Sequence, residues 1–341
     1  MVKVGILGAK GYTAGELLRI FLGHPEVEVT CLQARVESPT PVGAYFSFLR
    51  GRFPDLMIEP IDLNSFCGNV RVAFLGVPHK TSQEYAAPLL EAGIKVIDLS
   101  ADFRFRNIAT YEKTYNLTHA APELNREAVY GLPELYREQI KSARLIASPG
   151  CYPTSVILAC APFMKHPAID PQSIIADSKS GVSGAGRAPT DTTHFPECNE
   201  AVRPYHVGVH RHQPEIEEKL SEQLGSPVRI TFTPHLVPMD RGILSTIYLQ
   251  LTREEKEDNL RRHLAEFYKS EPFIRILPEG VYPSTKDVVY TNFCDIGLKL
   301  DAGTRRLILM SAIDNLTKGA SGQAVQAMNL QCGFPETLGL L

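Results

Sequence analysis

Membrane-spanning length is the first thing missing: no apolar run in this chain approaches the ~18 residues that a transmembrane helix needs. A long basic block is missing too. The 35 Lys and Arg are spread along the chain beside 38 Asp and Glu, for a formal net charge of -3. That argues against nucleic acid and anionic membranes as partners. CxxC pairs are absent. The seven cysteines, at 31, 67, 151, 160, 198, 294 and 332, are odd in number and scattered. This suits a reducing compartment, not a disulfide framework or a zinc ribbon. The chain opens on MVKVGILGAKGYTAG, which reads as a strand and has none of the marks of a secretory leader. A cytoplasmic protein is expected. Neither an internal repeat nor a low-complexity linker occurs.

What is there is a long chain, 341 residues and 44% apolar. It exceeds the usual size of one core, which predicts two domains. Residues 2–7 form a short apolar run, as in a strand buried on both faces. Gly8-Ala9-Lys10-Gly11-Tyr12-Thr13-Ala14-Gly15 follows, then a helical spacing over 16–22 and a second strand at 27–32. Strand, glycine turn, helix and strand within about thirty residues is the pattern that binds a dinucleotide. Gly8 makes the tight turn and Gly11 lets the backbone approach a pyrophosphate. Ala14 is small enough for helix and strand to pack closely. The helix N-terminus, at Tyr12 and Thr13, offers N–H groups to the phosphates. The second strand ends in Gln33-Ala34-Arg35, without the acidic residue that NAD binders place there. Arg35 can pair with a 2′-phosphate, so NADP(H) is the expected cofactor; a solvated surface charge is the plainer reading of Arg35. Further strands at 70–75 and 95–99 alternate with a helix at 81–91, which predicts a doubly wound parallel sheet. The loop after the first of these, with Pro78 and His79, is expected over the cofactor.

Residues 148–155 read SPGCYPTS. Cys151 falls in a loop after a strand at 144–147 and before an apolar helical run. Helix N-terminal N–H groups stabilise a thiolate. Cys160, inside the apolar run, reads as core. A nucleophilic thiol beside a nicotinamide suggests an acyl group held as a thioester while hydride passes to or from it. His212 fits the proton carrier, and Glu215 fits a group that orients or activates its imidazole. Pro214 suits the first turn of a helix over 215–224. The same spacing, His210-x-His212 with Glu215, can share a metal ion; no further ligand is evident and thiol chemistry needs none, so no metal is expected. Gly181 to Arg187, with Ser183 and Gly184, reads either as backbone N–H groups near a cofactor or as a simple mobile loop. Residues 315–326, with Asn315 and Gly319, open a helix with small residues. They approach the nicotinamide, pack between domains, or both. Arg104, Arg187, Arg211 and Arg241 are the candidate partners of a phosphate.

GAKGYTAGEL, GVPHKTS, DLSADFR, YGLPEL, SPGCYPTS, SGVSGAGR, HRHQPEI and DNLTKGASGQAVQ occur in this order from residue 8 to residue 326. As a set they resemble the N-acetyl-gamma-glutamyl-phosphate reductase family of arginine biosynthesis. The resemblance implies a Rossmann domain over 1–149. It implies an α+β catalytic and oligomerisation domain over 150–313, like that of glyceraldehyde-phosphate and aspartate-semialdehyde dehydrogenases. A C-terminal helix over 314–341 would return to the first domain. The strand-like runs at 174–179, 228–234, 243–251 and 307–313 suit such a second domain. The family's nucleophile matches Cys151, its histidine matches His212 and its acid matches Glu215. Arg104, His210 and Arg211 are expected to hold substrate. Ala34 departs from the Ser that members often carry before the Arg. The implied activity is NADPH-dependent reduction of N-acetylglutamyl phosphate, with phosphate released, by a homo-oligomer, dimer or tetramer. A paralogous reductase of the one-carbon-longer aminoadipyl phosphate is the nearest rival. A thiol acyl-transferase or hydrolase, and a non-catalytic NADP sensor, are rivals of other classes.

Overall fold

The computed structural model describes residues 1–341. The chain forms two compact units, Met1–Pro149 with Ala320–Leu341, and Gly150–Gly319. No helix is long and apolar enough to cross a membrane.

The first unit is built on an eight-stranded sheet. Its order from edge to edge is Thr40–Pro41, Met57–Glu59, Val27–Gln33, Val2–Leu7, Val72–Leu75, Lys95–Asp98, Leu145–Ala147, Val129–Tyr130. Every pairing is parallel except that of the first edge strand. Apolar runs fill its centre: all four residues of Val72–Leu75 are buried. Strand order reverses at Val2–Leu7, which has Val27–Gln33 on one side and Val72–Leu75 on the other. Such a switch point opens a crevice at the carboxyl ends of the strands. This is the Rossmann-type doubly wound sheet that the sequence predicts. The last helix, Gly322–Cys332, packs on Tyr12–Phe21 and Pro133–Ser142. Ser321 Oγ donates to Thr13 O at 2.9 Å, and Arg137 forks onto Glu336 with contacts of 2.9–3.1 Å.

The second unit holds a seven-stranded sheet, ordered Arg203–Pro204, Thr231–Leu236, Ile169–Ser180, Ile243–Leu251, Arg306–Ile313, Cys294–Asp301, Ile274–Ile276. Four of its six pairings are antiparallel. Ile243–Leu251 alternates between buried and half-buried residues, as a strand with one covered face must. The cover includes the helix Cys151–Cys160, which packs on Ile243–Leu251 and Arg306–Ile313. Every residue of that helix from Tyr152 to Cys160 is buried, so it is a central helix, apolar all round. Ser155 bonds Ser245 and Ser311 at 2.9 and 3.1 Å and fixes the helix on the sheet.

Candidate active site

Gly8 has φ +85°, and a Cβ there would lie 2.3 Å from the Gly76 carbonyl oxygen. Only glycine allows this close crossing of two strand ends at the switch point. Gly8 and Ala9 donate their N–H groups to Gln33 O at 2.8 and 3.1 Å. Gly11 starts the helix Tyr12–Phe21, and no side chain caps it. In its first turn Tyr12 is exposed and Thr13 half-buried, while Ala14 is fully buried. Helix termini of this kind accept phosphate. Arg35 is exposed and lines a cleft of about 590 Å³ with Lys10, Val36, Glu37, Ser38 and Thr40. Lys10 Nζ donates to Arg35 O at 3.1 Å. Lys10 and Ser38 were not singled out by the sequence. Lys10 hides inside the glycine turn, and Ser38 brings a hydroxyl to the cleft. Glu37 also faces the cleft, so an acidic residue stands two positions beyond Arg35. The glycine turn, open helix end and cationic cleft together fit a dinucleotide with a 2′-phosphate.

Pro78 and His79 belong to a loop pinned from below. Ala101 N–H donates to His79 Nδ1 at 3.2 Å, and Lys80 N–H to Asp102 Oδ1 at 2.8 Å. Asp102 also accepts from Tyr111 Oη at 2.8 Å. Asp98 is fully buried and accepts from Ser82 Oγ at 2.6 Å and from Ser100 N and Oγ at 2.9 and 2.8 Å. Burial, then the neighbouring Asp102, pushes Asp98 up to about 6. The sequence displayed this pair only as part of DLSADFR, because the partners lie in other segments. Arg104 is buried; its Nε donates to Ser148 O at 2.7 Å and its Nη2 to Leu99 O at 3.1 Å. Its placement suits a brace between two loops better than the substrate contact expected of it.

In the second unit Cys151 is half-buried and is the first residue of its helix. Gly150, at the N-cap, lies against the imidazole of His212: a Cβ on Gly150 would fall 2.6 Å from His212 Nε2. Gly150 N–H donates to Oε1 of the fully buried Glu215 at 2.9 Å. His212 is itself the first residue of a helix, His212–Leu224. The sequence placed that helix start at 215, because Pro214 suits a first turn; the extra residues bring His212 onto the same helix as Glu215. Thus Cys151, His212 and Glu215 do come together.

His210 behaves differently from the substrate ligand expected. It is buried, its Nδ1 accepts the His212 N–H at 3.0 Å, and it packs against Tyr152, Tyr205 and Phe232. Burial, then Arg211 and His206, lowers it to about 3. It is a neutral prop for the start of the His212 helix. Arg211 beside it is exposed. Tyr205 Oη donates to Tyr152 Oη at 3.1 Å, and burial pushes Tyr205 up to about 12. Both phenols stay neutral. Tyr152, Tyr205 and Phe232 carry no sequence motif beyond Tyr152's place after the cysteine.

Ser183 and Asn315 also meet. Asn315 Nδ2 donates to Ser183 Oγ at 3.0 Å, Asn315 Oδ1 accepts from Gly242 N at 2.8 Å, and Ser183 Oγ donates to Asp240 O at 2.6 Å. Gly184 is exposed beside them. The helix expected from residue 315 begins only at Gly322, after a π-helical turn, Thr317–Ser321. Such turns are frequent at functional sites. In it Gly319 sits on Cys151: a Cβ there would be 2.9 Å from Cys151 Cβ. No group of three or more His, Cys, Asp or Glu side chains is placed to hold a metal ion.

Two family models match: "Semialdehyde dehydrogenase, NAD binding domain" over residues 3–143, and "Semialdehyde dehydrogenase, dimerisation domain" over 151–315. Among solved structures, aspartate semialdehyde dehydrogenase II of Vibrio cholerae superposes with a TM-score of 0.74 at 17% identity, covering 98% of each chain. The Candida albicans aspartate semialdehyde dehydrogenase with NADP gives 0.68 at 15%, covering 97% of this chain and 98% of its own. These likenesses establish the fold. Curated relatives are much nearer. The N-acetyl-gamma-glutamyl-phosphate reductase of Citrifermentans bemidjiense is 54% identical over 341 residues, covering 100% of this chain and 98% of the relative. That of Moorella thermoacetica is 51% identical over 340 residues, with the same coverage. At such identity over its whole length, this chain belongs to the N-acetyl-gamma-glutamyl-phosphate reductase family.

Proposed function

We propose that the chain reduces N-acetyl-L-glutamyl 5-phosphate to N-acetyl-L-glutamate 5-semialdehyde, releasing phosphate, with NADPH as reductant. The observation that carries this reading is the seat of Cys151: a helix N-terminus, with His212 against Gly150 and Glu215 on the Gly150 N–H. Cys151 and His212 each start a helix, whose positive end favours thiolate. His212 takes the Cys151 proton. The thiolate attacks the acyl carbon, a C–S bond forms, and the C–O bond to phosphate breaks with its electron pair leaving on phosphate. A bound NADPH would supply one hydride to the resulting thioester. His212 gives its proton to the thiohemiacetal oxygen and takes it back as C=O re-forms and C–S breaks. Cys151 is again a thiolate, and one solvent proton ends on phosphate. Gly8, Gly11, Tyr12, Thr13, Ala14, Pro78 and His79 would hold the nucleotide in the first unit, with Lys10, Arg35 and Ser38 at its 2′-phosphate. Ser183, Gly184, Asn315 and Gly319 are the second unit's own candidates for cofactor contact.

The chain works as a homo-oligomer in a reducing cytoplasm. What supports this is the open sheet face of the second unit. Ile175, Tyr248 and Ile308 form a cross-strand row there, with Leu244 and Met310 half-exposed beside it. All seven cysteines are free thiols. The deciding experiment measures NADP reduction by the purified chain with N-acetylglutamate semialdehyde and phosphate. Turnover that requires phosphate supports the reading. Turnover only with the one-carbon-longer semialdehyde, or none with either, overturns it.

A further inference from the structure

The loop that carries Pro78 and His79 runs from the glycine turn to a buried carboxylate. Gly76 N–H donates to Leu7 O at 2.8 Å, and a Cβ on Gly76 would lie 3.4 Å from Thr13 Oγ1. The loop therefore leaves the sheet against the first turn of the helix Tyr12–Phe21. Thr81 N–H then donates to Pro78 O at 3.1 Å, which closes a β-turn around His79 and Lys80. Lys80, the third residue of that turn, has φ +77° and ψ -30°. Turns with positive φ at this place take Gly or Asn. A lysine there stays only if its surroundings hold it.

The holder is Asp102. Its Oδ1 accepts the Lys80 N–H and Tyr111 Oη, each at 2.8 Å, and Gln83 Nε2 donates in turn to Tyr111 Oη at 2.9 Å. The backbone of Asp102 is fixed as well. Its N–H donates to Ser100 Oγ at 3.1 Å, and its carbonyl accepts from His119 Nε2 at 2.8 Å. Ala121 N–H donates to His119 Nδ1 at 3.1 Å, which leaves the ring proton on Nε2. Asp102 is fully buried, yet its Oδ2 has no hydrogen-bond partner. A half-satisfied buried carboxylate costs stability. After burial, its charge is also what holds Asp98 up at about 6. A strained turn, an unpartnered oxygen and a perturbed neighbour thus meet in one cluster at the loop. Folds keep such costs where a binding conformation has to be held.

Resting on the nucleotide site proposed above, we propose that Asp102 is a positioning residue for cofactor binding: its Oδ1 holds the Lys80 turn, and with it Pro78 and His79, in the conformation that receives the dinucleotide. Being fully buried, it acts through Lys80 and not on the nucleotide itself. The same segment steers the imidazole, since the Ala101 N–H on His79 Nδ1 leaves the ring proton on Nε2. Without the Lys80 bond the turn relaxes toward negative φ. Fewer molecules then carry a competent loop, and apparent affinity falls by that fraction. One acceptor oxygen does the holding, so a side-chain amide can replace the carboxylate.

The test titrates NADPH by its fluorescence into wild type, Asp102→Ala, Asp102→Asn, Lys80→Ala and Lys80→Pro. Lys80→Pro removes the donated N–H and forbids positive φ; Lys80→Ala removes only the ammonium. Lys80 is exposed, so both of its variants fold whether or not Asp102→Ala does. Lys80→Pro and Asp102→Ala should raise the NADPH Kd roughly ten- to hundredfold, the scale of a hydrogen bond to a charged group. NADH should weaken by the same factor, because other residues line the Arg35 cleft. Lys80→Ala and Asp102→Asn should stay within about threefold of wild type. In Lys80→Pro at saturating NADP, kcat for NADP reduction should also hold within about threefold, the mark of lost binding and not of a damaged fold. Equal losses in Lys80→Pro and Lys80→Ala, or an Asp102→Asn as weak as Asp102→Ala, overturn the assignment. A wild type that binds NADPH but turns over neither semialdehyde would instead overturn the substrate reading and leave the role of Asp102 standing.

Discussion

Glu215 Oε1 accepts the Gly150 N–H at 2.9 Å, so the residue before Cys151 hangs from the helix that begins with His212. The bond fixes the backbone at Cys151 relative to that helix, and both lie in a single unit.

Glu215 is expected to act through backbone position. Glu215→Gln keeps an acceptor oxygen and should retain most of kcat. Glu215→Ala leaves a buried N–H without its acceptor, worth roughly 1–3 kcal/mol, and should lower kcat tenfold or more on that same scale. The Cys151 alkylation rate should fall with it, while NADP affinity stays put. If Gln loses as much as Ala and the pH–rate profile moves, the carboxylate charge on His212 is what matters.

His212→Asn should fold and bind nucleotide but slow the reaction by roughly 10²–10⁴, the scale of a general acid–base group. Cys151→Ala should bind NADP and do no chemistry. Of the seven thiols, Cys151 should alkylate fastest near neutral pH. Burial holds Cys31 up at about 11 and raises Cys67, Cys160 and Cys332. Peptide mapping after brief iodoacetamide treatment reads the order directly, and preferential labelling elsewhere would contradict the nucleophile's assignment.

The cleft at Arg35 should discriminate between nucleotides. Arg35→Asp should weaken NADP roughly ten- to hundredfold more than NAD. Lys10→Ala should act the same way but less, since its ammonium is a point charge and not a fork. Glu37→Gln should strengthen NADP modestly, because it removes the one carboxylate in the cleft. Titration by cofactor fluorescence checks all three; equal losses for both nucleotides would remove these residues from the 2′-phosphate site.

Asp98 gives a pH signature in stability. Its folded value is raised to about 6, while an unfolded Asp titrates at about 3.9. Between these limits the folded state binds the extra proton, so stability falls as pH rises, by about 1.4 kcal/mol per pH unit. Below the lower limit the group's stability is fully present; above pH 6 it is lost. Denaturant unfolding of wild type and Asp98→Asn, stepped from pH 4 to 7, should show this slope in wild type alone. A wild-type slope of the opposite sign relative to the variant would mean that Asp98 is ionised in the fold.

Local pattern already determined much of this protein. The apolar run at 2–7 with its glycine turn could only bury itself as a central parallel strand leading into a helix, and the structure has it there. The alternation in 243–251 likewise specified a strand with one covered face. Cys151 was legible because turn residues and an apolar helical run flank it. Hydrogen bonds between distant segments were not legible, because nothing in a linear pattern records a partner 65 residues away. Only the tertiary structure put Glu215 on Gly150, turned His210 into a prop, bound Arg104 to two carbonyls and buried Asp98 beside Asp102. It also moved the start of the last α-helix from 315 to Gly322, after the π-helical turn Thr317–Ser321, which local helix propensity does not foretell.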